Sequence, residues 1–369
     1  MRTGTASLPL HGGHCPPWLF DRMRRLGPAI IEVIVQEFGP EEVLNRFSDP
    51  YWFQSFGCVL GFDWHSSGLT TTLCGAIKEG LKGREKDLGL VIAGGKGRTS
   101  RNTPVEIEKA TDRLALTTLN PEDLVYASRM SAKIDNTALQ DGYQLYHHVF
   151  MFTFKGQWAV IQQGMNGTSR LARRYHWLSE GVKDFVCEPH AAVCCDSQGT
   201  VLNMVAKESK DSRQVITDLV GETPEKVVAE FNNIVEKKLP SLALPWRHDV
   251  PRANYLNKVL LKVYAAEPRD FASVLNIEGV GPKTIRALAM VAEVAFGAPA
   301  SFRDPVRYSF SHGGKDGHPY PVNRKVYDHS INVLEKSIAA AKIGQLDKHK
   351  ALKRLSQMVK NAQLGTVKL

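Results

Sequence analysis

Two pairs of adjacent polar residues stand at the same end of a predicted β-hairpin. The pairs are His147-His148 and Gln162-Gln163. Successive side chains of a strand point to opposite faces, so each pair places one polar group on each face of the sheet. An imidazole can transfer a proton or bind a metal ion, and a side-chain amide can position a water molecule. A hairpin that only filled a core has no need of them, and the pairs therefore predict a functional site.

The hairpin itself is predicted by two apolar segments, residues 143–154 and 157–163. Lys155-Gly156 between them indicates a two-residue turn. With such a turn, His148 lies opposite Gln163 on one face of the sheet, and His147 shares the other face with Gln162. The polar side chains then gather at one end of the hairpin and the apolar side chains at the other.

Carboxylates accompany this polar end. Asp135 and Asp141 precede the first strand, and Asp63 and His65 follow an apolar segment, where α/β folds often hold catalytic groups. Carboxylate oxygens are the ligands that Mg²⁺ and Mn²⁺ prefer. The sequence therefore predicts Asp63, Asp135 and Asp141 as metal ligands. The full set of predicted catalytic residues is Asp63, His65, Asp135, Asp141, His147, His148, Gln162 and Gln163.

Two structural interpretations remain open beside this chemical one. Asp63 could cap a turn while His65 packs beside Trp64. The polar end of the hairpin could be a network whose hydrogen bonds are all satisfied within the protein, at the seam between two domains.

A glycine-rich segment points to the partner. Residues 275–288 read LNIEGVGPKTIRAL and resemble a helix-hairpin-helix, a motif that grips the phosphate backbone of DNA. Gly279 and Gly281 suit a turn that needs unusual backbone angles, and Pro282 suits the first position of a helix. The free amides of Gly281, Lys283 and Thr284 would point at a phosphate. An ordinary helical corner with a glycine-rich connection is the alternative.

Other basic residues could add phosphate contacts. The loop Gly94-Gly95-Lys96-Gly97-Arg98 follows a predicted strand, and its glycines and cations could cradle a phosphate without forming a Walker motif. Residues 170–174 would place a basic stripe on a helix. The predicted DNA-binding residues are Gly279, Gly281, Lys283, Thr284, Arg286, Lys96, Arg98, Arg170, Arg173 and Arg174.

The net charge of +9 is unevenly distributed. Residues 247–369 contain 20 Lys and Arg against 10 Asp and Glu, whereas the first 246 residues are almost balanced. The third of the chain that contains the glycine segment therefore carries the excess of positive charge. Such an excess is typical of a module that neutralises phosphates.

The arrangement of these segments predicts two domains. Residues 1–245 would form an α/β (α+β) domain with the hairpin in a mixed sheet. Residues 250–369 would form a helical domain with a helix-hairpin-helix at 269–296. The six cysteines show no zinc spacing, no segment resembles a signal peptide and no apolar run reaches about 18 residues, so a cytoplasmic protein without a membrane partner is expected. The sequence leaves a homo-oligomer open.

The order of segments resembles an archaeal and bacterial family of uncharacterised proteins, known only as a domain of unknown function. The resemblance covers most of the chain and lies in residues 62–72, 94–100, 141–154, 158–166, 172–178 and 313–322. It implies a role around DNA and supplies no established catalytic residue.

A narrower resemblance is to the helix-hairpin-helix DNA glycosylases with lyase activity. Lys283 lies two residues past Gly281, where their Schiff-base lysine falls, and Asp304 lies seven past Gly297, where their catalytic aspartate falls. The resemblance implies an amine that attacks the sugar carbon with the help of a carboxylate.

The favoured prediction is an enzyme of DNA processing or repair that binds double-stranded DNA and cuts its backbone with a divalent metal, Mg²⁺ or Mn²⁺. In this nuclease, the three aspartates would be metal ligands or base, His65 and His147 base or ligand, and Gln162 would position water. A lyase that uses Lys283 and Asp304 and a DNA-binding scaffold without catalysis are the alternatives.

Overall fold

A computed structural model describes residues 15–62, 67–195, 198–236, 250–306 and 324–364. It shows one five-stranded antiparallel sheet with helices on both faces. The strands of that sheet follow the spatial order β1-β3-β4-β5-β6, and β2 pairs separately with β7. The strands are β1 (Leu90–Lys96), β2 (Leu139–Gln140), β3 (Gln144–Thr153), β4 (Trp158–Asn166), β5 (Leu171–Leu178), β6 (Ala192–Cys194) and β7 (Leu202–Asn203).

Fifteen α-helices are described in the same parts of the chain, together with a π-helix at Ile134–Ala138. The α-helices are α1 (Pro17–Phe38), α2 (Pro40–Ser48), α3 (Pro50–Val59), α4 (Gly68–Leu81), α5 (Glu85–Leu88), α6 (Arg98–Arg101), α7 (Thr103–Leu114), α8 (Pro121–Lys133), α9 (Lys210–Val220), α10 (Pro224–Glu236), α11 (Ala253–Ala266), α12 (Phe271–Asn276), α13 (Pro282–Phe296), α14 (Arg324–Ala340) and α15 (Gln345–Leu364). In these ranges, no helix combines the length and the apolar character that a membrane crossing requires.

The β3–β4 hairpin turns over three residues rather than two. The Thr153 N–H donates to the Gln157 carbonyl (2.9 Å), and the Gly156 N–H donates to the Thr153 carbonyl (3.0 Å). Gly156 has a φ of +86°, a conformation that favours glycine and is typical of a three-residue hairpin loop. The predicted register is therefore wrong by one residue: His148 lies opposite Gln162, and His147 lies opposite Gln163.

The alternation of β3 to β5 divides the core into two layers. Face A carries Phe150, Val160 and Trp177, and it packs against α7 to α13. Face B carries Met151 and Ile161, and it packs against α1 to α4 together with α14 and α15. Both faces of the sheet are thus covered, which explains why β3 and β4 are almost continuously apolar until their polar end.

The predicted boundary near residues 245–250 does not separate two hydrophobic cores. Leu256, Val274 and Ile285 belong to the same face A cluster as Phe150. Leu334 and Leu355 belong to the face B cluster with Ile30 of α1. The two predicted domains, 1–245 and 250–369, therefore contribute side chains to both layers around one sheet.

Candidate functional site

The glycine corner, residues 277–284, joins α12 to α13. Gly279 has a φ of +94°, which a residue with a side chain adopts only at a cost. Val280 is buried in the face A core, and its N–H donates to the Ile277 carbonyl (3.2 Å). Gly281 is the residue before α13 and Pro282 its first residue, as the sequence predicts.

The outer side of the glycine corner is open to solvent. Gly279 and Lys283 are exposed, and Gly281 is half-buried. The first hydrogen bond of α13 runs from the Ile285 N–H to the Gly281 carbonyl (3.1 Å). Within the described ranges, no group accepts a hydrogen bond from the amides of Gly281, Lys283 or Thr284. These amides are the free donors that every helix presents at its N-terminus.

The inner side of the glycine corner is held to α8 and β2 by two long polar side chains. The Lys133 ammonium donates to the Val280 carbonyl, and the Gln140 side-chain amide donates to the Pro282 carbonyl (2.8 Å). Burial lowers the pKa of Lys133. The Val280 and Pro282 carbonyls are thus bound from within the protein, while the amides at the start of α13 remain for an external acceptor.

Two predicted contacts of this motif are placed in the interior. Arg286 is only 7% exposed, so the expectation that it reaches a phosphate from α13 is wrong. Thr284 is also buried, and its hydroxyl oxygen has no hydrogen-bond partner in the part of the chain that the structure describes. Thr284 therefore offers no exposed side chain to an external ligand, and the exposed part of the helix start is Lys283.

A chain of buried hydrogen bonds occupies the polar end of face A. The Ser128 hydroxyl lies 2.9 Å from His148 Nε2, and His148 Nδ1 lies 2.9 Å from Gln162 Oε1. The Gln162 amide nitrogen then donates to Asp135 Oδ2 (2.5 Å). Because the Gln162 oxygen only accepts, His148 is protonated on Nδ1 and accepts on Nε2 from Ser128. Burial lowers the pKa of His148 to about 4, which keeps this imidazole neutral.

Asp135 is the end point of this chain. Its carboxylate also accepts from Trp177 Nε1 (2.9 Å) and from His190 Nε2 (2.5 Å), and its side chain is fully buried. Three donors thus stabilise the buried charge. The network that the sequence left open as an alternative is present here, with His148, Gln162 and Asp135 as members.

A second buried cluster on face A surrounds Asp141. Its carboxylate accepts from Arg173 Nη1 (3.0 Å), from the Tyr175 hydroxyl (2.6 Å) and from the Tyr143 amide (3.0 Å). Arg173 also binds Asp304 through both of its terminal nitrogens, at 3.1 and 2.8 Å. Burial raises the pKa of Asp141, an effect that the neighbouring Arg173 charge opposes.

These contacts bear on three predictions. Arg173 lies on β5, is 2% exposed and binds two carboxylates, so it cannot serve as the predicted phosphate contact. Asp304 accepts from Arg173 and from the amides of Gly199 and Val306 (3.0 Å each), so it belongs to this ion-pair cluster, and its catalytic role beside Lys283 stays a prediction. Asp135 and Asp141 bind separate sets of donors and do not share one site.

The structure does not assemble the predicted metal site in the residues that it describes. In those ranges, no group of three or more His, Cys, Asp or Glu side chains is arranged to hold an ion. Asp63 and His65, the remaining members of the predicted set, lie outside the described residues. The assignment of Asp63 as a metal ligand therefore stays a prediction.

The polar end of face B is a row of neighbours across four strands, Lys96, His147, Gln163 and Arg174. The Gln163 side chain accepts from the Thr70 hydroxyl (2.5 Å) and donates to the Ser67 carbonyl (2.8 Å) and to the Tyr146 hydroxyl. Gln163 is therefore fixed between the sheet and the start of α4.

Arg174 is completely buried in this row. Its guanidinium donates to His176 Nε2 (3.0 Å), to the Thr70 hydroxyl (3.1 Å) and to the Gln54 side chain (3.0 Å), and it lies 4.5 Å from the centre of the Phe53 ring. Burial lowers the pKa of Arg174 to about 10. The predicted exposed stripe on a helix is wrong for Arg173 and Arg174, because the segment is a strand with both faces covered.

His147 differs from every other histidine of the described sheet. It is 1% exposed, and among the described residues neither of its ring nitrogens has a hydrogen-bond partner. Burial lowers its pKa to about 3, so the imidazole is neutral and one nitrogen keeps a free lone pair. An unpartnered buried imidazole is costly, and such exceptions call for a specific explanation.

The remaining predicted phosphate contacts are exposed. Lys96 and Arg98 flank Gly97 at the end of β1, and Arg170 lies in the turn before β5 with a φ of +55°. The Gly94 amide of the same loop donates to Glu106 (2.9 Å), so it is not free for an anion. Sequence reasoning missed the partners supplied by Ser128, Lys133, Trp177 and His190, because each of them comes from an element that is distant in the chain.

The fold and these clusters define a three-layer α/β protein with buried polar clusters on both faces of its sheet and an open helical corner. Residues 4–322 match the family model described as Protein of unknown function (DUF763), and the chain belongs to that family. No curated protein matches the chain, and no solved structure does. The resemblance to an uncharacterised family is confirmed, whereas these comparisons give no support for the resemblance to DNA glycosylases.

Proposed function

We propose that this protein binds double-stranded DNA by holding a backbone phosphate at the glycine corner, which acts as a helix-hairpin-helix. The proposal rests on a difference between the carbonyls and the amides of the corner. Lys133 and Gln140 bind the Val280 and Pro282 carbonyls. The amides of Gly281 and Lys283, in contrast, have no acceptor in the described ranges. Free amides at the start of a helix favour an anion, and Lys283 adds a charge beside them.

A contact of this kind positions DNA without reading its sequence. Backbone amides and a lysine recognise the phosphate, which every nucleotide carries. Affinity should therefore depend strongly on salt and little on base sequence. The exposed Lys96, Arg98 and Arg170 are further proposed phosphate contacts, whereas the buried Arg173, Arg174 and Arg286 are not.

The test is the salt dependence of DNA binding in the Lys283→Ala variant. We expect binding to weaken by roughly three- to tenfold for all sequences, and the slope of log affinity against log salt to fall by about 1. Lys109→Ala, which removes an exposed lysine of α7, is the matched control and should change neither quantity. Unchanged binding in the Lys283 variant would contradict the proposal.

A second proposed activity is metal-dependent hydrolysis of the phosphodiester, and the unpartnered His147 favours it. A neutral imidazole with a free lone pair suits a ligand of Mn²⁺ better than a general base, because a base with a pKa of about 3 holds protons poorly at neutral pH. In the reaction, a water oxygen would bond to phosphorus as the bond from phosphorus to the leaving sugar oxygen breaks.

Plasmid cleavage in the presence of Mg²⁺ or Mn²⁺ tests this activity. We expect the wild type to cut, EDTA to stop cleavage, and His147→Ala to lose cleavage while its DNA affinity stays the same. The control is His349→Ala, which changes an exposed histidine of α15. If the wild type binds DNA but does not cut it with either metal, the protein is a DNA-binding scaffold and the hydrolase assignment is wrong.

A further inference from the structure

A groove lined by basic side chains lies on the opposite side of the sheet from the glycine corner. It is open, measures about 820 Å³, and runs between α1, the end of α4 and the connection from α14 to α15. This surface is here called the basic groove. The cations that line it are Arg24, Arg25, Lys82, Arg84, Lys342 and Lys348. Among the described residues, two acidic ones, Glu32 and Glu79, line the same space.

Four of these six cations have no carboxylate partner among the described residues. Arg84 binds Glu32 (2.9 Å), Arg24 binds Asp21 (2.8 Å), and Lys348 donates to the Ala339 carbonyl (2.7 Å). In the described ranges, no acidic side chain pairs with Arg25, Lys82 or Lys342, and all three are exposed. The groove thus presents positive charge that the protein does not neutralise.

The basic surface continues into a neighbouring groove. This second groove shares Arg25 and Ile343 with the first and adds Arg22, Lys350 and Arg354, against one acidic residue, Asp347. Beside it, Trp18 is 59% exposed and its ring lies 5.3 Å from the Arg22 guanidinium. The cations come from helices at distant places in the chain and form one elongated positive strip.

The distribution of charge along the chain agrees with this location. Residues 251–306, which include the glycine corner, contain seven basic and five acidic residues. Residues 324–364 contain nine basic and three acidic residues, and they form α14 and α15. The described side chains of these two helices and their connection, at residues 331–356, place six basic and two acidic residues on the face B side, whereas the glycine corner lies on face A.

We propose that the basic groove is a second DNA-binding surface, so that one molecule holds two segments of duplex on opposite sides of its sheet. The inference rests on the proposed function, which supplies DNA as the partner. An open strip of cations from several helices fits an extended polyanion, because a single small phosphate is usually held in an enclosed site by convergent donors. Electrostatic attraction to the phosphate backbone requires no base contacts.

The experiment measures whether the protein brings two duplexes together. One biotinylated duplex is fixed on beads, and the retention of a second, fluorescent duplex is measured with the full-length protein. The test variant is Arg25→Glu/Lys82→Glu/Lys342→Glu, in which all three changes are at exposed positions. The control is Lys109→Glu/Lys183→Glu/Lys226→Glu, which changes the net charge equally at exposed positions outside the groove.

We expect the groove variant to lose retention of the second duplex by roughly tenfold or more while it still binds one duplex, and the control to behave as the wild type. Retention that is unchanged in the groove variant would overturn the inference. If the groove variant loses only its binding to vesicles of anionic lipid, the groove takes a membrane surface and the inference also fails.

A parallel measurement with Lys283→Ala separates this inference from the proposed function. If Lys283→Ala binds DNA as the wild type does and the groove variant loses binding altogether, the basic groove is a DNA surface and the assignment of the glycine corner is wrong. If Lys283→Ala loses binding and the groove variant retains both duplexes, the glycine corner stands and the second surface is overturned. A wild type without affinity for DNA overturns both.

Discussion

Arg173 and Asp304 are 131 residues apart in the chain and form a two-pronged ion pair, with N–O distances of 3.1 and 2.8 Å. The same guanidinium binds Asp141, so a single buried cation joins β5, the segment before β3 and the segment that follows α13. The segment that follows α13 is thereby held against the sheet by a charge in the interior as well as by apolar packing.

Replacing Asp304 by Asn should therefore destabilise the fold. Arg173 keeps Asp141 as a partner but loses half of its compensating charge, and breaking a buried pair typically costs about 3 kcal/mol or more. The free energy of unfolding, measured by urea titration, is expected to fall by about that amount. Asp112→Asn, at an exposed position of α7, should shift it by less than about 0.5 kcal/mol. If Asp304→Asn leaves the free energy of unfolding unchanged, the structural role of this pair is contradicted.

Asp135 offers a test of hydrogen bonding against metal binding. Asn can accept with only one of its two terminal atoms, so Asp135→Asn places an N–H against the donors Gln162, Trp177 or His190. We expect a loss of about 2–4 kcal/mol in the free energy of unfolding. The shift of melting temperature caused by Mn²⁺ should be the same in wild type and variant. A shift that disappears with Asp135 would restore the predicted metal site.

Buried histidines make stability depend on pH. The pKa of His147 is lowered from 6.5 to about 3 by burial, so between these values the unfolded chain binds more protons than the folded one. Above pH 6.5, protonation of this group does not reduce the free energy of unfolding. As the pH is lowered from 6.5 toward 3, the free energy of unfolding falls by about 1.4 kcal/mol per pH unit.

His147→Leu removes this contribution and leaves no unpartnered nitrogen. The slope of unfolding free energy against pH, measured between about pH 6 and about pH 4.5, should become shallower by roughly 1.4 kcal/mol per unit. His349→Leu changes an exposed histidine and should leave the slope almost unchanged. Equal slopes in wild type and His147→Leu would show that His147 is not held neutral.

Replacing each glycine of the corner by alanine should have different effects on stability. Gly279→Ala forces a side chain onto a φ of +94°, with an expected cost of about 1–2 kcal/mol in stability. Gly281 has a φ of −131°, and an added Cβ meets only the Gly279 carbonyl oxygen at 4.0 Å, so Gly281→Ala should fold normally.

Under the proposed function, the added methyl of Gly281→Ala occupies space where the backbone approaches a phosphate. We expect this variant to bind DNA several-fold more weakly at unchanged melting temperature, measured by anisotropy and calorimetry. Wild-type affinity in Gly281→Ala would show that no phosphate approaches the amides of the corner.

Local patterns in the sequence predicted many of the residues of the site, but few of the hydrogen bonds and ion pairs between them. Alternation in the β3–β4 hairpin placed polar groups on both faces, and the glycine and proline positions predicted the start of α13. The hairpin register failed by one residue because a third loop residue is accommodated by the positive φ of Gly156. The basic stripe failed because spacing by three and four cannot distinguish a helix from a strand that is buried on both faces.

Contacts between distant segments account for the remainder. Nothing in residues 170–174 indicates that Arg173 meets Asp304 or that Arg174 meets Gln54 and Thr70. These partners are fixed by the stacking of helices on the sheet, and a single sequence carries no direct record of such pairings. The sequence likewise did not predict that Trp177 and His190 donate hydrogen bonds to Asp135.

The three-residue loop between β3 and β4 constrains the molecule more than its surface position suggests. Deleting one of residues 154–156 would move β4 by one step, and every side chain of that strand would exchange layers. Gln162 would leave Asp135, Gln163 would leave Thr70, and Val160 and Ile161 would trade hydrophobic neighbours. The length of this loop is thus as fixed as the identity of any interior residue, although substitutions along it can be tolerated.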